Sequence, residues 1–108
     1  MAAPVFTERL AAVQGGSNQS QVVYTAPAGV RVIVRDLVLS LGTGSNSYAT
    51  VSTVTGSTEF HLFQGTIEAQ TSMHLELRQA LSEGDTLNVY VQATSYTFLA
   101  TGYVFNLT

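Results

Sequence analysis

Apolar and polar residues alternate with a two-residue period along much of the chain. Met73, Leu75 and Leu77 interleave with His74, Glu76 and Arg78, and Leu87, Val89 and Val91 interleave with Asn88, Tyr90 and Gln92. Successive side chains of an extended strand point to opposite faces, so these stretches read as half-buried strands. Further strands are expected over 21–25, 30–41, 48–54, 58–64 and 96–107, where β-branched and aromatic residues cluster. In 58–64, Phe60 and Leu62 fall on one parity and Glu59, His61 and Phe63 on the other. The run from Val5 to Val13 has a mixed period and reads either as a strand or as a docking arm. Residues rich in Gly, Ser, Asn and Asp separate the runs: a loop at 14–20, a turn at Ala26-Pro27-Ala28-Gly29, a loop at 42–46, and turns at Thr55-Gly56-Ser57 and Ser82-Glu83-Gly84-Asp85. Gly65 interrupts the fifth run. This punctuation, with no helical period, predicts one all-β domain over 1–108: an antiparallel β-sandwich of jelly-roll or Greek-key type with about eight strands. Residues 1–20 are a candidate N-terminal docking arm and loop.

Two strands depart from simple alternation. In 30–41, Val30, Val32 and Val34 share one parity, but Leu37, Leu39 and Leu41 share the other. A bulge near Arg35-Asp36 would flip the phase and keep both sets on one face; the alternative is a strand buried on both faces. In 96–107, Tyr96, Phe98 and Val104 fall on one side and Leu99, Tyr103, Phe105 and Leu107 on the other. A two-layer sandwich covers only one side of a strand. The second side therefore calls for a neighbouring subunit, and Phe6, Tyr103, Phe105 and Leu107 are the expected interface residues.

Charge reinforces that reading. Charged residues make up 10% of the chain, against roughly 25% for an ordinary soluble domain. There is no Lys; four Arg stand against seven acids, for a net charge of −3. Spread charge normally keeps copies apart, so a hydroxyl- and amide-rich surface suits either a weakly charged monomer or a subunit covered by others, and the second reading is preferred. No run of basic residues offers itself to phosphates or anionic lipid, so neither nucleic acid nor membrane is an expected partner. Residues 1–6 have neither a charged segment nor a long apolar one, and no secretory signal is expected there.

No catalytic role emerges. The chain lacks Cys and has no Gly-x-Ser-x-Gly, phosphate loop or dinucleotide fingerprint. Glu59 with His61, and His74 with Glu76, would converge into a zinc-capable set if their strands paired with His61 opposite His74. That register needs a turn at Ile67-Glu68, which is poor turn chemistry, so the expectation is no metal site, no cofactor and no enzyme activity. Tyr48 and Tyr90 fall on parities outside the core and form a candidate ligand platform.

Two segments carry a resemblance. Residues 24–40, from Tyr24-Thr25-Ala26-Pro27-Ala28-Gly29 through Arg35-Asp36 to Ser40, resemble the opening hairpin of small accessory proteins of tailed phages: capsid decoration, head-fibre and minor tail proteins. Residues 81–91, with Gly84-Asp85-Thr86-Leu87-Asn88-Val89, and the strand from Tyr96 to Leu107 are similar to their C-terminal half. Residues 42–70 fall outside it. The Gly-Asp-x-Leu-x-Val pattern also recurs in tumour-necrosis-factor-like and complement-like jelly rolls, although the missing Cys, signal and Lys do not suit a secreted animal ligand. The resemblance implies a capsid decoration protein, assembled in the host cytoplasm into a virion. Its partners would be the major capsid protein or other virion proteins and its own copies, with a trimer as the candidate state. The alternative is a minor tail or fibre module that binds a carbohydrate or receptor.

Overall fold

The computed structural model describes residues 8–15, 19–41, 46–68, 71–92 and 96–106. They form eight strands: β1 (Glu8–Gly15), β2 (Gln19–Thr25), β3 (Val30–Leu41), β4 (Ser47–Thr55), β5 (Thr58–Ile67), β6 (Ser72–Leu81), β7 (Thr86–Val91) and β8 (Tyr96–Asn106). One sheet has the order β1-β8-β3-β6 and the other β2-β7-β4-β5, with every pairing antiparallel. Consecutive strands change sheets at every connection but the β4–β5 hairpin, which makes the sandwich a jelly roll.

The core lies between the sheets, where the period-two pattern placed it. β3 contributes Val32, Val34, Leu37, Leu39 and Leu41; β7 contributes Leu87, Val89 and Val91; β8 contributes Tyr96, Phe98 and Ala100. The buried Tyr96 hydroxyl donates to Gln21 Oε1 at 3.0 Å, so its polar end is satisfied. Burial raises the Tyr96 pKa above its ordinary 10.0 by disfavouring the phenolate.

Strand β3 carries the expected bulge. Its register against both β8 and β6 shifts between Val34 and Asp36, so Val34 and Leu37 both face the core while the polar pair Arg35-Asp36 faces out. β8 passes this point without a phase change, and Gly102 sits opposite Val34. A methyl group on Gly102 would run into the Ile33 carbonyl oxygen and lie 3.1 Å from Val34 Cα. The bulge and the glycine fit one another.

Three more bulges invert that logic. The registers of β1, β2 and β5 shift at Arg9/Ala11, Val22/Tyr24 and Val51/Ser52 opposite His61 and Phe63. Each lets two consecutive apolar residues reach the core: Leu10 with Ala11, Val23 with Tyr24, and Leu62 with Phe63. This explains the mixed period near residue 10 and corrects the assignment of Phe63 to the polar side of its strand. All three lie on edge strands, where bulges also discourage edge-to-edge pairing.

Several boundaries move. Residues 8–15 take the strand alternative by pairing with β8, and β1 and β2 absorb Gln14, Gly15, Gln19 and Ser20 from the expected loop. β5 runs through Gly65 to Ile67. Residues 1–7, with Phe6, and Leu107 lie outside the described residues. At one end of the sandwich, backbone bonds from Ala26 N to Asp85 O (2.9 Å) and Gly84 N to Ala26 O (3.0 Å) join the β2–β3 and β6–β7 turns. Gly84 takes a φ of 85°, and Asp85 Oδ2 accepts from Ser82 N at 2.9 Å.

Candidate functional site: the outer face of the β1-β8-β3-β6 sheet

The core side of β8 alternates strictly with a second set: Thr97, Leu99, Thr101, Tyr103 and Phe105, which points away from the core. Cross-strand partners share a face. Ala12, Leu99 and Val38 therefore form one row across β1, β8 and β3, and Tyr103, Ile33 and Ala80 form another across β8, β3 and β6. Leu99 is 42% exposed and Phe105 37% exposed. For side chains of this size that is apolar surface open to water.

The centre of this face is prearranged. Arg35 Nη1 donates to Tyr103 Oη at 3.1 Å, and the guanidinium carbon sits 5.5 Å from the Tyr103 ring centroid. The Tyr103 and Phe105 rings follow at 6.3 Å with a 54° tilt. An Arg-Tyr-Phe ladder fixed by its own contacts loses little side-chain entropy on docking, and Arg and Tyr are enriched where interfaces derive most of their energy. Of the four expected interface residues, the structure brings Tyr103 and Phe105 together.

Arg35 and Leu99 belong to the same surface and were not singled out from the sequence. The parity of 96–107 had already put Leu99 beside Tyr103 and Phe105. The bulge supplied the signal for Arg35.

The other candidates lie elsewhere. Tyr48 and Tyr90 are half-buried on the outer face of the second sheet. Tyr90 pairs with Thr50, two residues from Tyr48 on the same strand, so the two tyrosines are diagonal neighbours. Tyr48 Oη accepts from Gln64 Nε2 at 2.5 Å.

The zinc-capable register does not form. β5 pairs with β4 and β6 with β3, in different sheets. Glu59 instead accepts from the buried Ser52 hydroxyl at 2.7 Å and lies 3.7 Å from His61 Nε2. His74 Nε2 lies 3.1 Å from Asp36 Oδ1, and Glu76 completes a trio whose ligand atoms lie within 4.8 Å of one another. Asp36 reaches it only because the bulge turns it outward. This trio is open to water, and Arg35 and Arg78 on the same face oppose a dication, so a hydrogen-bonded surface cluster accounts for it.

No family model matches the chain, and no curated protein matches it in sequence. Solved structures do match in shape. A pilus protein of Bacillus endospore appendages aligns at TM-score 0.61 and 11% identity, covering 96% of this chain and 89% of that one. A chain in the structure of infectious bursal disease virus, Gx strain, aligns at 0.64 and 10%, covering 94% of this chain and 32% of that much longer one. The Drosophila NLP core, described for pentamer formation and histone binding, aligns at 0.59 and 13%, covering 92% and 100%.

What this chain shares with them is the fold. The jelly roll serves a pilus, a virus and a histone-binding core on these identities alone, so function has to be read from the surface. On this jelly roll the arginine-aromatic face places exposed Leu99 and Phe105 beside the Arg35-Tyr103 pair.

Proposed function

We propose that the protein is a virion structural subunit of the capsid decoration type, which docks on shell proteins and on its own copies through the outer face of the β1-β8-β3-β6 sheet. The observation that carries this reading is the exposed Leu99 and Phe105 beside the prearranged Arg35-Tyr103 pair. The low overall charge and the resemblance of residues 24–40 and 81–107 to phage accessory proteins point the same way. Four strands about 4.8 Å apart and about ten residues long at about 3.3 Å per residue give a face of roughly 600 Å² in projection. That approaches the ~800 Å² per partner of a stable interface. The residues that anchor it are Tyr103, Phe105, Leu99 and Arg35, with Phe6 and Leu107 as proposed extensions and a trimer as the proposed state. The work is binding, with no catalytic step.

Light scattering on the purified protein, with rebinding to particles that lack it, tests the proposal. Oligomers and saturable rebinding are expected. A protein that stays monomeric and ignores the particles ends it.

The diagonal pairing of Tyr48 and Tyr90 favours a second reading, a glycan- or receptor-binding module of a tail or fibre. Glycan-array binding that disappears in Tyr48→Ala or Tyr90→Ala would support it over the first.

A further inference from the structure

All four arginines of the chain lie on one surface. Arg9 pairs with Thr101 and Arg31 with Phe105, both on the outer side of β8. Arg35 is turned out by the bulge and bonds Tyr103, and Arg78 alternates with the inward Leu77 and Gln79 on β6. The absence of basic runs in the sequence concealed this patch, because the four residues come from three strands. Among the acids whose side chains are described, Asp36 and Glu76 share that face. Glu59, Glu68, Glu83 and Asp85 do not. Among the described side chains, four guanidinium groups against two carboxylates give this face +2, while the whole chain carries −3. The sequence has no further Arg or Lys.

The acids outside the face are not scattered evenly. Glu59 lies one residue past the start of β5 and pairs with Val54, which pairs in turn with Thr86 at the start of β7. Glu83 and Asp85 occupy the turn that leads into that same strand. The three carboxylates therefore gather at the end of the sandwich closed by the β4–β5 and β6–β7 turns. Phe60, 55% exposed, stands beside Glu59. One surface is basic with exposed Leu99 and Phe105; another is acidic with exposed Phe60.

We infer that the sheet face of one copy receives the acidic turn end of a second copy, head to tail. This rests on the proposed reading of the face as a docking surface and adds what occupies it. Two different patches in contact form a heterologous interface, which closes into a ring or continues as a filament, whereas face-to-face pairing would oppose two +2 surfaces. Opposite charges at short range also make the association depend on salt.

The test uses two charge variants of the full chain. The face variant is Arg31→Glu with Arg78→Glu, both exposed positions outside the Arg35-Tyr103 ladder. The end variant is Glu83→Arg with Glu59→Gln, the glutamine keeping an acceptor for the Ser52 hydroxyl. Thermal melts matching the parent confirm folding. The single exchanges Arg31→Glu and Glu83→Arg serve in place of any double variant that melts early.

The parent is expected to associate at about 0.05 M salt and at least about tenfold more weakly at about 0.5 M. Each variant alone is expected to be monomeric under conditions where the parent associates. Mixing the two should restore at least a one-to-one dimer, because each supplies the half that the other lacks. An end variant that assembles as the parent does, or a mixture that stays monomeric, overturns the head-to-tail arrangement and leaves the docking face standing. So does a parent that is monomeric yet rebinds particles. Salt-sensitive capture of a single-stranded DNA oligomer by the face, in place of self-association, also overturns it. A monomer that binds neither particles nor copies of itself overturns the proposed function as well.

Discussion

The two sheets share one core and differ in what they turn outward. The β2-β7-β4-β5 sheet shows Ser20, Thr50, Asn88, Gln64 and Thr66 around its two tyrosines, with exposed Val22 and the Glu59-His61 pair: a surface mostly of hydroxyls and amides, without an arginine. The β1-β8-β3-β6 sheet shows every arginine of the chain, a ladder of aromatic rings and exposed Leu99. Both are four-stranded antiparallel sheets in the same jelly roll. Their difference comes from the residues each sheet turns outward, and it is the ground for the proposed docking face on β1-β8-β3-β6. The mechanism of the difference is local. On β3 a single extra residue sends Arg35 and Asp36 outward together, which supplies both the partner of Tyr103 and the partner of His74.

The largest effect is expected where that bulge meets β8. Gly102→Ala places a methyl group against the Ile33 carbonyl and Val34 Cα, both backbone atoms with no rotamer to yield. Either β8 shifts or the bulge is lost. A loss of about 3 kcal/mol in unfolding free energy is expected, near the upper range for overpacking, read from the urea midpoint. A midpoint matching the parent would mean that the sheet absorbs the methyl group, and that the arginine-aromatic face is not tied to this register.

The next effect separates docking from stability. Leu99→Ser with Phe105→Ser removes exposed apolar surface and should leave stability within about 0.5 kcal/mol per site. Association with particles or with other copies should weaken by at least about tenfold, the loss of roughly 1.4 kcal/mol or more that central anchors give. Unchanged association with unchanged stability would move the docking site off this sheet.

Much of this was legible in the chain itself. The β3 bulge was readable because a polar pair, Arg35-Asp36, separates two long apolar series of opposite parity, and only a phase flip reconciles them on one face. The bulges at Leu10, Val23 and Leu62 were not readable, because two adjacent apolar residues look the same whether a strand is bulged or covered on both sides. Pairing partners were also hidden. β5 and β6 follow one another and alternate compatibly, so their alternation alone does not say that the connection crosses between sheets; the poor turn chemistry at Ile67-Glu68 was the one signal against the Glu59-His61-His74-Glu76 set. The basic face was concealed for the same reason: charge that gathers through register leaves no run in the sequence. Gly102 did leave a signal, a lone glycine inside a long strand, which marks a close backbone approach.

A smaller effect isolates one hydrogen bond of the face. Tyr103→Phe keeps the ring for Arg35 and for Phe105 but removes the hydroxyl that accepts from Arg35 Nη1. The bond is partly open to water, so a stability change of about 1 kcal/mol or less is expected. If prearrangement of Arg35 matters, docking should weaken by more than folding does. Equal losses in the two measurements would make the bond a feature of the monomer alone.

The smallest effect lies in the core between the sheets, and its sign follows from burial. Desolvation holds the Tyr96 phenol protonated to higher pH in the folded chain than in the unfolded one. Below the unfolded value both states are protonated, and the hydroxyl keeps its bond to Gln21. Above it the unfolded chain releases the proton first, so the folded state binds more protons and stability falls as pH rises through the folded pKa. Urea midpoints should therefore decline as pH rises past the ordinary tyrosine value of 10.0, and Tyr96→Phe should flatten that decline after allowance for its own lower starting stability. An alkaline slope as steep in Tyr96→Phe as in the parent would mean that the buried phenol is not what couples the two sheets to pH.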